Sequence, residues 1–255
     1  MLRKKAGVKS LPMEIYLNKY KKAIRALPSD TELTKQDLLV DDFLLAREGK
    51  LETYYAPHNE FINRRAKVVI VGLTPGWTQM RVAFQAAKRA LDEGLSDEEV
   101  GKRAKESASF AGSMRVNLVS MLQALGLHQL LDIPSCESLF AEHRSLLHTT
   151  SVLRFPVFVG GRNYSGSQPN LLTTASLRES AVAHMSRELG SFERILVIPL
   201  GKTVEGVLKL VVQAGNLDEW YCLWGFPHPS GANGHRHQQF AALQDEFRAR
   251  LKAAL

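Results

Sequence analysis

The sequence predicts an α/β fold: a central, mostly parallel sheet covered by helices on both faces, in three α/β/α layers. Three features of the 255-residue chain carry this prediction. Val68–Val71 is an apolar, β-branched run of the kind buried on both faces of a parallel sheet, and Ile195–Ile198 is a second such run. Between and around them, segments with apolar residues at helical spacing alternate with strand-like ones, as βαβ units require. The first run ends in Gly72, Pro75 and Gly76, so the chain turns sharply at the strand's C-terminal edge, where open α/β sheets bind ligands. Gly225–Gly234, GFPHPSGANG, is a second turn of this character, again just after an apolar stretch. One Gly/Pro turn is ordinary punctuation; two can face each other across a cleft.

Length suits one domain over 1–255, with a basic arm and helix over 1–27 and an α/β core over 28–255. The net charge of +7 favours polyanionic partners. It is concentrated: Arg3, Lys4, Lys5, Lys9, Lys19, Lys21, Lys22 and Arg25 stand against Glu14 alone in the first 26 residues. Such an arm either contacts phosphates or is merely solvated. No run approaches the roughly 18 apolar residues that span a membrane, and no signal-peptide core is apparent. Cys136 and Cys222 are too few and too far apart for a disulfide framework or a metal cluster, and they fit a reduced, cytoplasmic setting.

Along the chain, Met13–Leu27 carries apolar residues at helical spacing and Lys35–Arg47 reads as another helix. Tyr54–Ala66 is irregular, with Pro57, His58 and Asn59 close to the first strand. Gln79–Glu93 is helical. Asp92–Glu106 is highly charged and reads as a solvated insertion, and Ser113–Leu125 as a helix with Met114, Leu118, Met121 and Leu122 on a core face. Thr149–Phe158 is strand-like and is followed by the polar loop Gly160–Asn170. Leu177–Leu189 and Lys202–Val212 are helices, Trp220–Trp224 a third strand, and His235–Leu251 the closing helix.

His228 is the strongest candidate for chemistry. Pro227 and Pro229 stiffen the turn that presents it, and a neutral imidazole there can donate a hydrogen bond to a leaving group that gathers negative charge. His235 and His237 lie nearby, but with no matching carboxylate or cysteine spacing they do not suggest a metal site.

GLTPG at Gly72–Gly76, paired with HPS at His228–Ser230, resembles the uracil-DNA glycosylase superfamily. The segments between agree in order: Ser109–Met121 looks like the region whose aromatic stacks on a flipped base, and Ile195–Gly201 like the strand and turn before the final helix–strand–HPS unit. The resemblance covers roughly residues 52–250 and implies a monofunctional DNA glycosylase without a cofactor, acting on DNA in the cytoplasm or nucleoid as a monomer. It implies catalytic roles for His228 and Thr74. Phe110, Thr150, Gly72, Leu73 and Gly76 would hold the base, while Ser230, Asn233, Arg236, Lys4 and Lys5 would meet DNA. Asn233 or Arg236 would fill the space that the base vacates.

Two positions depart from the family pattern. Thr74 stands where an Asp or Asn usually handles the attacking water, and Thr150 where an Asn usually reads uracil. Both argue against plain uracil. Together with the loop Gly160–Asn170 they favour a larger, hydrophilic base, such as the glucosylated hydroxymethylcytosine of some phage DNA, and hence a role in antiviral defence. Some members hold a four-cysteine iron–sulfur cluster, which two distant cysteines exclude. A repair glycosylase for uracil or a damaged base, a catalytically silent DNA-binding relative and a hydrolase or transferase unrelated to DNA stay open as alternatives.

Overall fold

The computed structural model describes residues 15–110, 112–231 and 233–255. Lys4, Lys5 and the rest of the basic arm up to Glu14 lie outside them. The first helix, α1 (Leu17–Ala26), buries Leu17, Tyr20 and Ile24, spaced at i, i+3 and i+7. Its first turn is capped from a distance, because Glu60 accepts the backbone N–H groups of Tyr16 at 2.7 Å and Leu17 at 2.9 Å.

The segment expected to be one helix over Lys35–Arg47 is three elements. α2 (Lys35–Leu38) lasts one turn, a 3₁₀ turn follows at Asp41–Phe43, and the chain then enters β1 (Leu44–Glu48). A two-residue turn with Gly49 at φ +60° reverses it into β2 (Leu51–Tyr54). The run of leucines satisfies either period, and Gly49 decides for the hairpin.

β3 (Val68–Gly72) is the central strand of a three-stranded parallel sheet, with β4 (Leu147–Ser151) on one side and β7 (Leu196–Pro199) on the other. Register places Val71 beside Thr150 and Pro199. Alternation along β3 divides the core. Val69 and Val71 pack with α7 (Ala175–Leu189) and α8 (Lys202–Gln213), while Val68 and Ile70 pack with α5 (Gly112–Ala124) and α9 (Arg236–Ala254). This gives the expected α/β/α layering.

Thr149–Phe158 is not one strand. It leaves the parallel sheet after Ser151, turns through Pro156 and enters β5 (Val157–Val159), which pairs with β2 and with the short β6 (Arg162–Asn163) in a second, antiparallel sheet of order β1-β2-β5-β6. Trp220–Trp224 also differs from expectation. It contributes a 3₁₀ turn at Glu219–Tyr221, capped by Asp218, and a single bridge from Cys222 to Val197.

Asp92–Glu106 is not the expected solvated insertion. After α3 (Trp77–Asp92), Ser96 caps α4 (Asp97–Ala108), whose Val100, Ala104 and Ala108 recur every fourth residue and pack on α3. The acidic residues of its first turn complement the helix dipole. α4 is therefore a core helix, and it brings Lys105 inside. The one-turn α6 (Leu127–Leu130) completes the α-helices among the described residues.

Candidate active site

The C-terminal ends of β3, β4 and β7 open toward the two Gly/Pro turns. After β7 the chain bends at Gly201, φ +93°, and a Cβ there would stand 3.6 Å from the His228 side chain. His228 thus rests on the exit of β7. It lines a cleft of about 830 Å³ together with Gly201, Lys202, Phe226 and Asn233.

The HPS turn is clamped from three sides. Asn117 on α5 donates to the Pro229 carbonyl at 2.8 Å, Asn233 to the His228 carbonyl at 3.2 Å, and Arg236 to the Ser230 carbonyl at 2.9 Å. Asn233 and Arg236 therefore tie the turn together. The imidazole is also oriented: the Ser230 amide donates to His228 Nδ1 at 3.2 Å, so in the neutral ring the proton sits on Nε2. Burial lowers the pKa of His228 below its ordinary 6.5, which keeps the ring neutral near pH 7.

Thr74 lies on the other turn with its hydroxyl engaged. Oγ1 donates to the Phe155 carbonyl at 3.0 Å and accepts from the Val157 amide at 3.1 Å. Its proton is committed, and one lone pair remains. The amides after it are also satisfied, since Gly76 N–H donates to Gln79 at 3.0 Å and Trp77 N–H to Asn163 at 2.9 Å. Gly72 and Leu73 accept through their carbonyls from Val152 and Leu153, and the Leu73 side chain faces Gly166.

Phe110 and Thr150 meet in one small cavity of about 20 Å³, which they line with His58, Asn59, Gln79, Lys105, Ser109, Thr149 and Ser151. Space of this size holds a single water or the edge of a larger group. It shares no lining residue with the His228 cleft. Phe110 is buried and packs into the core beside α5. Its φ of +30° lies where non-glycine residues are rare. Arg115 holds it there by donating to the carbonyls of Phe110 at 2.6 Å and Ser109 at 2.5 Å, with its guanidinium over the Phe140 ring.

Three buried polar atoms around this cavity lack protein partners: Thr150 Oγ1 and both ring nitrogens of His58. Burial, aided by the Lys105 charge, pushes the His58 pKa down to about 3, so the ring offers one donor and one acceptor. Leaving such an atom unpaired costs about 1–3 kcal/mol. Thr150→Val removes the hydroxyl at nearly constant volume. It is expected to leave stability unchanged or raise it by about 1 kcal/mol, measured by urea unfolding; a loss of that size would mean the hydroxyl is bonded in the folded protein.

Behind the cavity sits a buried charge network that sequence reading missed. Lys105 Nζ donates to Asn59 Oδ1 at 2.7 Å, and burial lowers its pKa to about 8 despite the pull of Glu188. Asn63 N–H donates to His148 Nδ1 at 3.4 Å, so His148 Nε2 donates to Glu188 Oε1 at 2.9 Å. His184 Nε2 lies 3.3 Å from the other oxygen, outside hydrogen-bonding geometry. Burial raises the Glu188 carboxyl, but the two histidines and Lys105 outweigh it and hold the group below the ordinary carboxylate range.

The buried histidines make stability depend on pH. His58 and His184, at about 3 and about 4 when folded, return toward 6.5 on unfolding. Between pH 6.5 and 4 the unfolded chain therefore binds more protons, and stability falls as pH falls by about 1.4 kcal/mol per unit for each histidine. Urea midpoints at pH 7 and pH 5 should show this, and His58→Asn should flatten the slope.

The loop Gly160–Asn170 supplies none of the residues around Phe110 and Thr150. Asn163 is used at the start of α3, Tyr164 donates to the Pro169 carbonyl at 2.5 Å, and Asn170 accepts from the amides of Leu172 and Thr173. The loop instead borders the Gly72–Gly76 turn, with Asn163 beside Gly76 and Gly166 beside Leu73.

Two turns at the carboxyl edge of a parallel sheet, one presenting an oriented neutral histidine, form the candidate site. Residues 60–252 match the family model of the Uracil DNA glycosylase superfamily, and the chain belongs to that superfamily. It is 43% identical over 238 residues to the uncharacterized protein YoxB of Bacillus subtilis (strain 168), covering 93% of this chain and 92% of that protein. No solved structure matches it. Among the described residues no helix is long and apolar enough to cross a membrane. Cys136 and Cys222 are buried free thiols, pushed up by burial to about 11 and about 12.

Proposed function

We propose that the protein is a monofunctional DNA glycosylase that flips a base out of DNA and hydrolyses its N-glycosidic bond, leaving an abasic site. The observation that supports this most is the His228 turn, in which the Ser230 amide occupies Nδ1 and leaves the proton on Nε2. A base must leave the duplex before its glycosidic bond is accessible. Phe110 then offers a stacking face, Thr150 reads the edge, and the backbone of Gly72, Leu73 and Gly76 borders the base. As the C1′–N bond breaks, its electron pair departs with the base, and His228 Nε2–H stabilises the oxygen on which that charge gathers. Water adds to C1′ and releases its proton to solvent. Thr74, whose hydroxyl pKa is far too high for a general base, orients that water through its remaining lone pair. Ser230, Asn233, Arg236, Lys4 and Lys5 contact the DNA.

The substrate of this reading is a bulky, polar pyrimidine such as glucosylated hydroxymethylcytosine in phage DNA. That makes the protein an antiviral base-excision enzyme of the cytoplasm and nucleoid, working as a monomer without a cofactor. Threonine at positions 74 and 150 supports it, because a hydroxyl does not reproduce a bidentate amide contact to uracil. The committed proton of Thr74 favours one rival, a silent relative that binds DNA without cleaving it. Duplexes containing uracil, hydroxymethylcytosine or glucosylated hydroxymethylcytosine, incubated with the protein and tested for alkali-labile sites, decide the matter. Cleavage only at uracil would make this a repair enzyme, and cleavage of none would favour the silent relative.

A further inference from the structure

The cavity around Phe110 and Thr150 is too small for a whole base, but it does not end at Lys105. Beyond Lys105, Ser109 and Thr149, which line both spaces, lies a chamber of about 490 Å³. This is within the range of small-molecule sites, roughly 300–1,000 Å³. It runs along β4, the edge strand of the parallel sheet, and is walled on the far side by α4.

The partition is made of side-chain groups. The Ser109 and Thr149 hydroxyls stand 3.0 Å apart, and Lys105 Nζ reaches Asn59. Ser109 Oγ donates to the Lys105 carbonyl at 2.7 Å, so opening the partition breaks that bond, but it needs only side-chain rotation and no backbone shift; Lys105 has two further N–H groups beyond the one given to Asn59. The far wall is fixed more firmly, since Arg144 donates to the carbonyls of Phe140 at 2.8 Å and Glu106 at 2.6 Å.

Charge in the chamber is mixed. Glu98, Glu99, Glu106 and Glu142 share it with Arg65, Lys102, Lys105 and Arg144. Neither sign dominates, so the field favours neither an anionic nor a cationic guest. Dense donors and acceptors of both signs suit a neutral group rich in hydroxyls.

We propose that this chamber is a substituent-binding subsite, taking a neutral, polyhydroxylated group attached to the flipped base and threaded past Lys105. The proposal rests on the glycosylase reading for the flipped base itself. Ser145 and Ala141 line the chamber and are exposed, and neither lines the His228 cleft or the Phe110 cavity, so Ser145→Trp and Ala141→Trp each place bulk at the chamber.

The test measures binding and single-turnover base release on duplexes carrying glucosylated hydroxymethylcytosine, hydroxymethylcytosine or no modification. The wild-type protein is expected to prefer the glucosylated duplex. Each variant is expected to lose that preference by roughly tenfold or more, with its melting temperature and its affinity for unmodified duplex unchanged. If one variant misfolds, the other decides. Variants that match the wild type on glucosylated DNA overturn the proposal, as does a wild type with no preference for it in either assay. Preferential binding without base release, abolished by both substitutions, supports the chamber and overturns the catalytic reading instead.

Discussion

Replacing His228 by alanine is expected to slow base release by about 10²-fold or more, the loss associated with one preorganised donor at a developing oxyanion. The ring is held in one orientation. Ser230 N–H fixes the acceptor face of the ring, and Asn117, Asn233 and Arg236 fix the turn that carries it. The donor therefore needs little reorganisation when the base departs. Affinity for DNA should change much less, because the contacts proposed for Ser230, Asn233, Arg236, Lys4 and Lys5 do not use the imidazole. Single-turnover release from a substrate established for the wild type checks this. A variant that keeps the wild-type rate would remove His228 from the mechanism.

Glu188→Leu is expected to destabilise the fold by about 3–5 kcal/mol, the usual result of removing one partner from a buried ionic network. Glu188 accepts from His148, lies beside His184 and balances Lys105, all of them buried. Without the carboxylate, the Lys105 charge and the His148 N–H are left uncompensated in the interior. Because Lys105 also lines the Phe110 cavity, the variant should disturb that cavity even where it still folds. Urea unfolding at pH 7 measures the effect. A loss under 1 kcal/mol would mean that Lys105 is neutralised by solvent or by another group.

Local pattern showed the parts of the fold that repeat. Val68–Val71 and Ile195–Ile198 are apolar at every position, so no register leaves them half exposed, and both are strands of the parallel sheet. The closing helix and α8 lie where periodicity puts them, to within a few residues. Local pattern misleads where it fits two periods or where charge suggests exposure. Leu38–Leu45 fits a helix or a strand, and the hairpin depends on one glycine and on pairing with β5, over a hundred residues away. In α4 the charged residues hide a narrow stripe of Val100, Ala104 and Ala108.

By itself the sequence determined the layered α/β class and the two turns that bear His228 and Thr74, because turn chemistry and apolar runs are local properties of the chain, and it pointed to the family through the resemblance of those two turns. Only the tertiary structure decided what surrounds those turns. Lys105 looks like any solvated lysine until α4 packs inward, and His58 looks like a loop residue until its ring nitrogens are buried without partners. Glu188 and His148 are forty residues apart and become a pair only when α7 crosses the sheet. The cost of an unpaired polar atom or an isolated charge depends on how much water reaches it, and water access is set by packing between distant segments.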